Sequence, residues 1–357
     1  KFNVVIYALM LVEVKANCAE VCYCLNETAN CNNSNLIAIP SFAVFATVTN
    51  LDMSDNLLEK IELDDLEGFT SLQNLSLKNN RIKCIHLQAF QGITDLGYLD
   101  LSGNIIGLTT FSEEIFTFTP YLKTLLLSNN SITDIQKRLF SDLKELLYLD
   151  LSYNILKIIS DTTFSSNEKL EFLSLKNNSI LQLHERAFIS HKHLQHLDLS
   201  ENKISFVHQN TFVALKNLKW LSLSQNYIKY LQNETFSNQY DLEYLNLSRN
   251  QISVINSHTF SNCRKLVNLS LSYNNISTLC PLSFHGAFHM EYLDLSFNMI
   301  SSLSSEIFTE TSMSNNYSLK YLNLENNVIN SLTENIFDSM SDIDEFPMCW
   351  HRIDSRT

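Results

Sequence analysis

Apolar and polar residues alternate along this chain in a pattern that restarts at regular intervals. From residue 48 onward one motif recurs twelve times, beginning at Val48, Leu72, Leu96, Leu122, Leu146, Leu170, Leu194, Leu218, Leu242, Leu266, Met290 and Leu319. The period is 24 residues except in two lengthened copies. In one-letter form the motif is LxxLxLxxNxI, as in LEYLNLSRNQI, which begins at Leu242. The spacing of Leu245 and Leu247 is the two-residue period of a strand with one buried face, and Leu242 anchors the turn into it. Each repeat therefore predicts one short strand, and self-similarity at such a period predicts a stacked solenoid.

Two further columns follow the period. The ninth position is Asn in every copy: Asn56, Asn80, Asn104, Asn130, Asn154, Asn178, Asn202, Asn226, Asn250, Asn274, Asn298 and Asn327. A carboxamide donates and accepts, so a column of them can satisfy the backbone of a turn that belongs to no helix or ladder. Ten residues later, in most repeats, stand Phe90, Phe116, Phe140, Phe164, Phe188, Phe212, Phe236, Phe260, Phe284, Phe308 and Phe337, with Leu66 in the first copy. Phe is large enough to fill the wide side of a coil, where the returning segment lies farther from the strand.

Composition sharpens this picture. Gly (6) and Pro (4) are scarce for 357 residues, and 45% hydrophobic residues supply a large core. The formal net charge of −13 argues against nucleic acid or an anionic membrane as the main partner, since both demand a basic footprint. Residues 1–16 read as a signal peptide: Lys1, an apolar run over residues 2–12, then Val14-Lys15-Ala16 at a cleavage site. No later segment approaches the roughly 20 apolar residues of a membrane-spanning helix. Cys18, Cys22, Cys24 and Cys31 crowd into a cap at residues 17–47, a density that suits an oxidising compartment. Four cysteines allow three pairings. The single-residue gap between Cys22 and Cys24 fits a zinc knuckle poorly.

These residues resemble the extracellular, 24-residue class of leucine-rich-repeat proteins, the group of Toll ectodomains, Slit, chaoptin and the acid-labile subunit. The resemblance runs from about residue 36 to residue 340, and residues 18–40 are similar to that family's N-terminal cap. It implies pairing of Cys18 with Cys24 and of Cys22 with Cys31. It also implies an α/β-type or β-dominated horseshoe, with a parallel sheet on the concave face and irregular or 3-10 segments outside. The twelve repeats occupy residues 48–342. Residues 343–357 depart from the family's four-cysteine C-terminal cap and read as an incomplete thirteenth repeat or a truncated cap, with Cys349 awaiting a partner.

Function is expected on the strand face. The third position, between inward leucines, carries Tyr98, Tyr148, Phe172, His196, Trp220, Tyr244, Tyr292 and Tyr321, with Asn50, Asn74, Thr124 and Asn268 in the remaining copies. Exposed aromatics beside polar groups have the composition of binding hot spots. The stretch from Tyr148 to Tyr244 is the expected centre, against the plainer reading that the rings merely stack as β-formers do. The fifth position is rich in Asp (Asp52, Asp100, Asp150, Asp198, Asp294), but these mostly alternate with Ser and make no adjacent set of calcium ligands. His191, His193 and His196 are close in sequence, yet only His196 belongs to the strand, so they do not predict zinc. Neither a metal nor another cofactor is expected. There is no nucleophile elbow, phosphate-binding Gly loop or HExxH, so an enzyme is not expected.

Sequons occur at Asn26, Asn32, Asn74, Asn129, Asn177, Asn233, Asn246, Asn268, Asn275 and Asn316. An exported chain is expected to carry glycans at several of them, although an Asn- and Ser-rich repeat also generates sequons by chance. Used sites at Asn74, Asn246 and Asn268 would confine a ligand to the middle strands. Extra residues lengthen the repeats at 108–114 and 309–318, where loops can carry function. Cys263 sits at a core position as a free thiol, and Cys84 and Cys280 are not expected to pair. The expected role is extracellular recognition of a protein or glycan, in innate immunity or in adhesion and signalling. A receptor ectodomain that continues into a membrane span, a structural matrix component, and a homodimer are the further expectations.

Overall fold

The computed structural model describes residues 21–40, 46–107, 111–307 and 319–332. The expected signal peptide, Cys18, the 309–318 insert with Asn316, Phe308, Phe337 and the C-terminal segment lie outside the described residues. The chain divides into two compact units, Lys1–Leu156 with Thr162–Leu170, and Lys157–Asp161 with Glu171–Thr357.

In the first unit the cap supplies an antiparallel hairpin, Tyr23–Leu25 against Thr28–Asn30. The second hairpin strand then pairs in parallel with Asn50–Asp52, the strand of the first repeat. Asn74–Ser76, Tyr98–Asp100, Thr124–Leu126 and Tyr148–Asp150 follow, each parallel to the one before and in register. The second unit continues the same device through Phe172–Ser174, His196–Asp198, Trp220–Ser222, Tyr244–Asn246, Asn268–Ser270, Tyr292–Asp294 and Tyr321–Asn323. The long repeats keep register, Tyr98 opposite Thr124 and Tyr292 opposite Tyr321. The only helix among the described residues is the 3-10 turn Ser305–Ile307, so this is the β-dominated form of the expected solenoid. Short parallel pairs also form on the return path, such as Ile158–Ile159 with Gln182–Leu183 and Val254–Ile255 with Thr278–Leu279.

The core has two sides. Behind the strands lie the leucines of positions four and six, for example Leu221 and Leu223, both fully buried. On the return side the phenylalanines stack ring on ring. In the first unit the ring centres of Phe90, Phe116, Phe140 and Phe164 are 6.3, 6.3 and 6.1 Å apart. In the second, Phe188, Phe212, Phe236, Phe260 and Phe284 follow at 6.3, 6.4, 6.0 and 6.0 Å. The cap joins this core through Cys31, which is buried at the place a repeat gives to leucine and is disulfide-bonded to Cys22. Cys24 is disulfide-bonded as well.

The asparagine column ties coil to coil. Asn226 donates to the carbonyls of Leu223 (3.1 Å) and Ser224 (3.2 Å) in its own repeat and of Leu199 (2.9 Å) in the preceding one. Its Oδ1 accepts the backbone N–H of Ile204, also in the preceding repeat, at 2.9 Å. Asn80, Asn250 and Asn298 repeat the four bonds. At the N-terminal end Asn56 applies the same bonds to the cap, donating to the Cys31 carbonyl and accepting from Ser34 and Leu36.

The residue before each asparagine is left-handed in all twelve repeats, with φ between 49° and 66°. There its N–H reaches the next coil, as Gln225 does to the Ser248 carbonyl at 2.9 Å. Asn, Asp or Gly fills this place in six copies, but Tyr153, Glu201, Gln225, Arg249, Tyr273 and Phe297 hold it against a cost of roughly 1–2 kcal/mol each.

Asn226→Ala is expected to cost about 1–3 kcal/mol by leaving buried backbone groups unpaired. Replacing its exposed neighbour, Gln225→Gly, is expected to stabilise by up to about 1 kcal/mol, because left-handed φ is free of the Cβ clash only for glycine. Urea unfolding of the two variants checks both signs; an unaffected Asn226→Ala protein would mean the column carries little.

Candidate functional site

Every third-position residue is the first residue of its strand, and all eight aromatic candidates are half-buried on the strand face. In the second unit, parallel in-register pairing sets Phe172 opposite His196, His196 opposite Trp220 and Trp220 opposite Tyr244. The four rings form one stack, with centroid distances of 4.4, 3.9 and 5.2 Å and interplanar angles of 12°, 7° and 1°. Ring faces within the stack are therefore spent on each other, and the edges are what the stack offers to a partner. Tyr292 and Tyr321 make a second stack at 4.4 Å.

The first unit is different. Tyr98 and Tyr148 are separated by Thr124, which pairs with both strands. Asn50 and Asn74 form an amide ladder instead of a ring stack, Asn74 donating to Asn50 Oδ1 at 2.6 Å.

The fifth-position carboxylates have a structural task. Asp52, Asp100, Asp150, Asp198 and Asp294 each accept the backbone N–H two residues on, at 2.8–3.0 Å. Asp198 Oδ1 also accepts the Ser200 hydroxyl at 2.6 Å, and Asn246 and Asn323 make the same turn as amides. This side-chain turn closes the strand end before the left-handed residue. Among the described residues no three His, Cys, Asp or Glu side chains are placed to hold a metal ion. Of the histidines, His191 is fully buried with its ring edge-on to Phe188, His193 is exposed, and His196 stands in the stack.

Burial dominates the ionisation of this face. It lowers the pKa of His196 below the ordinary 6.5, and the nearby Asp198 carboxylate opposes that shift. It raises the phenols of Tyr98 and Tyr148, and Tyr292 is pushed up to about 12 by burial first and then by Asp294 and Tyr321. Away from the face, the free thiol of Cys263 is buried and pushed up to about 12, whereas Cys84 is an exposed free thiol and Cys280 a half-buried one.

The sequons sort by place. Asn26, Asn32, Asn129, Asn233 and Asn275 are exposed. Asn177 is half-buried and donates to Glu201 Oε2 at 2.7 Å. Asn74, Asn246 and Asn268 stand on strands, and Asn246 Nδ2 lies 3.4 Å from the Tyr244 hydroxyl. None falls on the strands of Phe172, His196 or Trp220.

A family model described as "Leucine rich repeat" matches residues 46–106, 120–180, 173–228, 216–276 and 264–312. The chain belongs to the leucine-rich-repeat family. No curated protein matches it. Among solved structures it is similar to Toll in the Toll–Spatzle complex of Drosophila (22% identity, TM-score 0.71), covering 81% of this chain and 38% of the Toll chain. It is also similar to a chain of the octameric complex of Latrophilin 3, Unc5D and FLRT2 (23%, TM-score 0.72; 86% of this chain and 93% of that one). The leucine-rich-repeat domain of APL1B is similar too (20%, TM-score 0.72; 98% and 94%). At these identities the likeness shows the fold. Among the described residues of this leucine-rich-repeat protein, no helix is long and apolar enough to cross a membrane.

Sequence reasoning missed two features of the leucine-rich-repeat turn. The left-handed row had a partial signal in its Asn, Asp and Gly residues. The exposed stack that row carries, Arg249 4.2 Å above the Tyr273 ring and Tyr273 4.1 Å from Phe297, had none beyond the 24-residue spacing.

His196 is expected to titrate below 6.5 by NMR, and lower still in Asp198→Asn, which removes the opposing charge. Because the folded value is depressed, its contribution to stability is present above the unfolded pKa and is lost as pH falls through the folded one. An upward shift in Asp198→Asn would contradict the assignment.

Proposed function

We propose that this leucine-rich-repeat protein is an extracellular recognition module that binds a protein through the strand face of its second unit, centred on Phe172, His196, Trp220 and Tyr244. One observation carries the reading: four half-buried rings from successive strands make a continuous stack, and the strand residues two places on, Ser174, Asp198, Ser222 and Asn246, are short polar side chains. Held rigid by their neighbours, such rings lose little entropy on binding, and their large area makes good anchors. Tyr292 and Tyr321 extend this set in the same unit; Tyr98 and Tyr148 supply rings on the first unit's strand face.

A protein partner is favoured over a glycan because sugars pack on open ring faces, which this stack has used internally. Ring edges suit carbonyl oxygens, carboxylates and the faces of other aromatics. Toll in complex with Spatzle, and the complex of Latrophilin 3, Unc5D and FLRT2, give precedent for this fold in protein assemblies. The reading includes export directed by residues 1–16, a disulfide cap at 17–47, repeats over 48–342 and glycans at exposed sequons such as Asn233. The role is in innate immunity or in adhesion and signalling, as a released protein or as a receptor ectodomain.

A panel of extracellular proteins probed with the purified chain is expected to yield a ligand whose affinity falls at least about thirtyfold in Trp220→Ala/Tyr244→Ala, about 2 kcal/mol for a hot spot. Unchanged affinity for every ligand found, in a folded double variant, removes the strand face from the function.

A further inference from the structure

The second unit carries another surface, between the asparagine column and the return-side core. The outward residues of four successive coils there are Lys157 and Ile158, then Leu181 and Gln182, then Lys203, Ser205 and Phe206, then Tyr227, Lys229 and Tyr230, all exposed. Ile158 is 58% exposed, Leu181 52%, Tyr227 50% and Tyr230 53%. Phe206 and Tyr230 touch across adjacent coils, ring centres 5.8 Å apart. Ile158, Leu181 and Phe206 line an open recess of about 470 Å³ together with His184, Glu185 and His208.

Three properties set this surface apart. Its exposed apolar side chains are contiguous, and contiguous patches mark interaction sites where scattered residues do not. The corresponding places in the following coils are mostly polar, Gln251, Ser253, Asn275, Ser277, Thr278, Ser301 and Ser302, with Val254, Met299 and Val328 as separate apolar positions. Its ten named positions hold three lysines in a chain of net charge −13, and the carboxylate at the recess wall, Glu185, lies 3.4 Å from His208 Nδ1. Among the described residues Lys157, Lys203 and Lys229 make no ion pair, whereas Lys176, Lys265 and Lys320 of the same unit pair with Glu201, Asp241 and Glu291.

We propose that this flank docks an acidic protein segment, one apolar side chain entering the recess while its carboxylates meet Lys157, Lys203 and Lys229. The unpaired lysines beside apolar anchors supply the charge complementarity that selects such a partner. An anionic lipid surface is disfavoured: a recess fits a side chain rather than a plane, and the chain's overall negative charge opposes approach to a membrane.

The test pans random phage-displayed peptides on the full chain and measures the enriched peptides by fluorescence anisotropy. Peptides combining Asp or Glu with Leu, Phe or Trp are expected. Their affinity should fall at least about tenfold in Lys157→Glu/Lys203→Glu/Lys229→Glu and in Phe206→Ser, and fall with added salt. It should stay unchanged in Trp220→Ala/Tyr244→Ala, which separates this site from the strand face. Thermal unfolding confirms that each variant is folded, and the lysine variant, altered only at exposed sites, decides the matter if Phe206→Ser is not. The proposal is overturned if enriched peptides lack acidic residues, if they ignore the flank variants, if they are lost only in the strand-face variant, or if phosphatidylserine vesicles bind the chain through these lysines and no acidic peptide does.

Discussion

A carboxamide in the bend after each strand has two donor hydrogens and one acceptor oxygen to place, and a bend that belongs to no regular ladder has carbonyls and an N–H to satisfy. In this chain those needs match across two coils at once: Asn226 closes its own turn and grips both Leu199 and Ile204 of the repeat before. Since the bonds skip 22 and 27 residues, they set the rise of one coil on the next. The in-register strands, the phenylalanine stack and the outward rows all depend on that spacing. Even the cap obeys it, offering the Cys31 carbonyl to Asn56 where a repeat would offer its leucine.

Once register is set, a residue type repeated at one position becomes a row. Buried rows make the core: leucine under the strands and phenylalanine, ring over ring, on the return side. Exposed rows have no packing to satisfy and differ from coil to coil. That freedom is where recognition can reside, as on the strand face from Phe172 to Tyr244. The same geometry exacts something from that face. Strands about 4.8 Å apart bring aromatic rings close to stacking distance, so rings on neighbouring strands turn their faces to one another and leave edges for a partner.

Rows also explain why chemistry suggested by residue type does not follow. Five aspartates on strand ends look like an acidic strip, but all five accept the N–H two residues on and so serve the turn that leads to the left-handed residue. His191 and His196 are five residues apart yet belong to opposite sides of a coil, one in the return-side core and one in the strand-face stack.

Much of this was legible in the sequence, because period and polarity suffice for it: the strands, their buried leucines, the Asn and Phe columns, and the row on which Tyr98 to Tyr321 stand. Each is a property of one residue in one coil, repeated. What the tertiary structure alone decided are relations between residues some 24 apart. Whether His196 lies flat between Phe172 and Trp220, whether Asp198 faces solvent or a backbone N–H, and whether Lys157, Leu181 and Phe206 share a flank depend on distances that linear spacing does not contain. The left-handed row is the clearest case. Gln225 or Phe297 carries no local preference for positive φ, and the conformation holds because the bonds on either side, to the next coil and to the buried asparagine, outweigh the clash it costs.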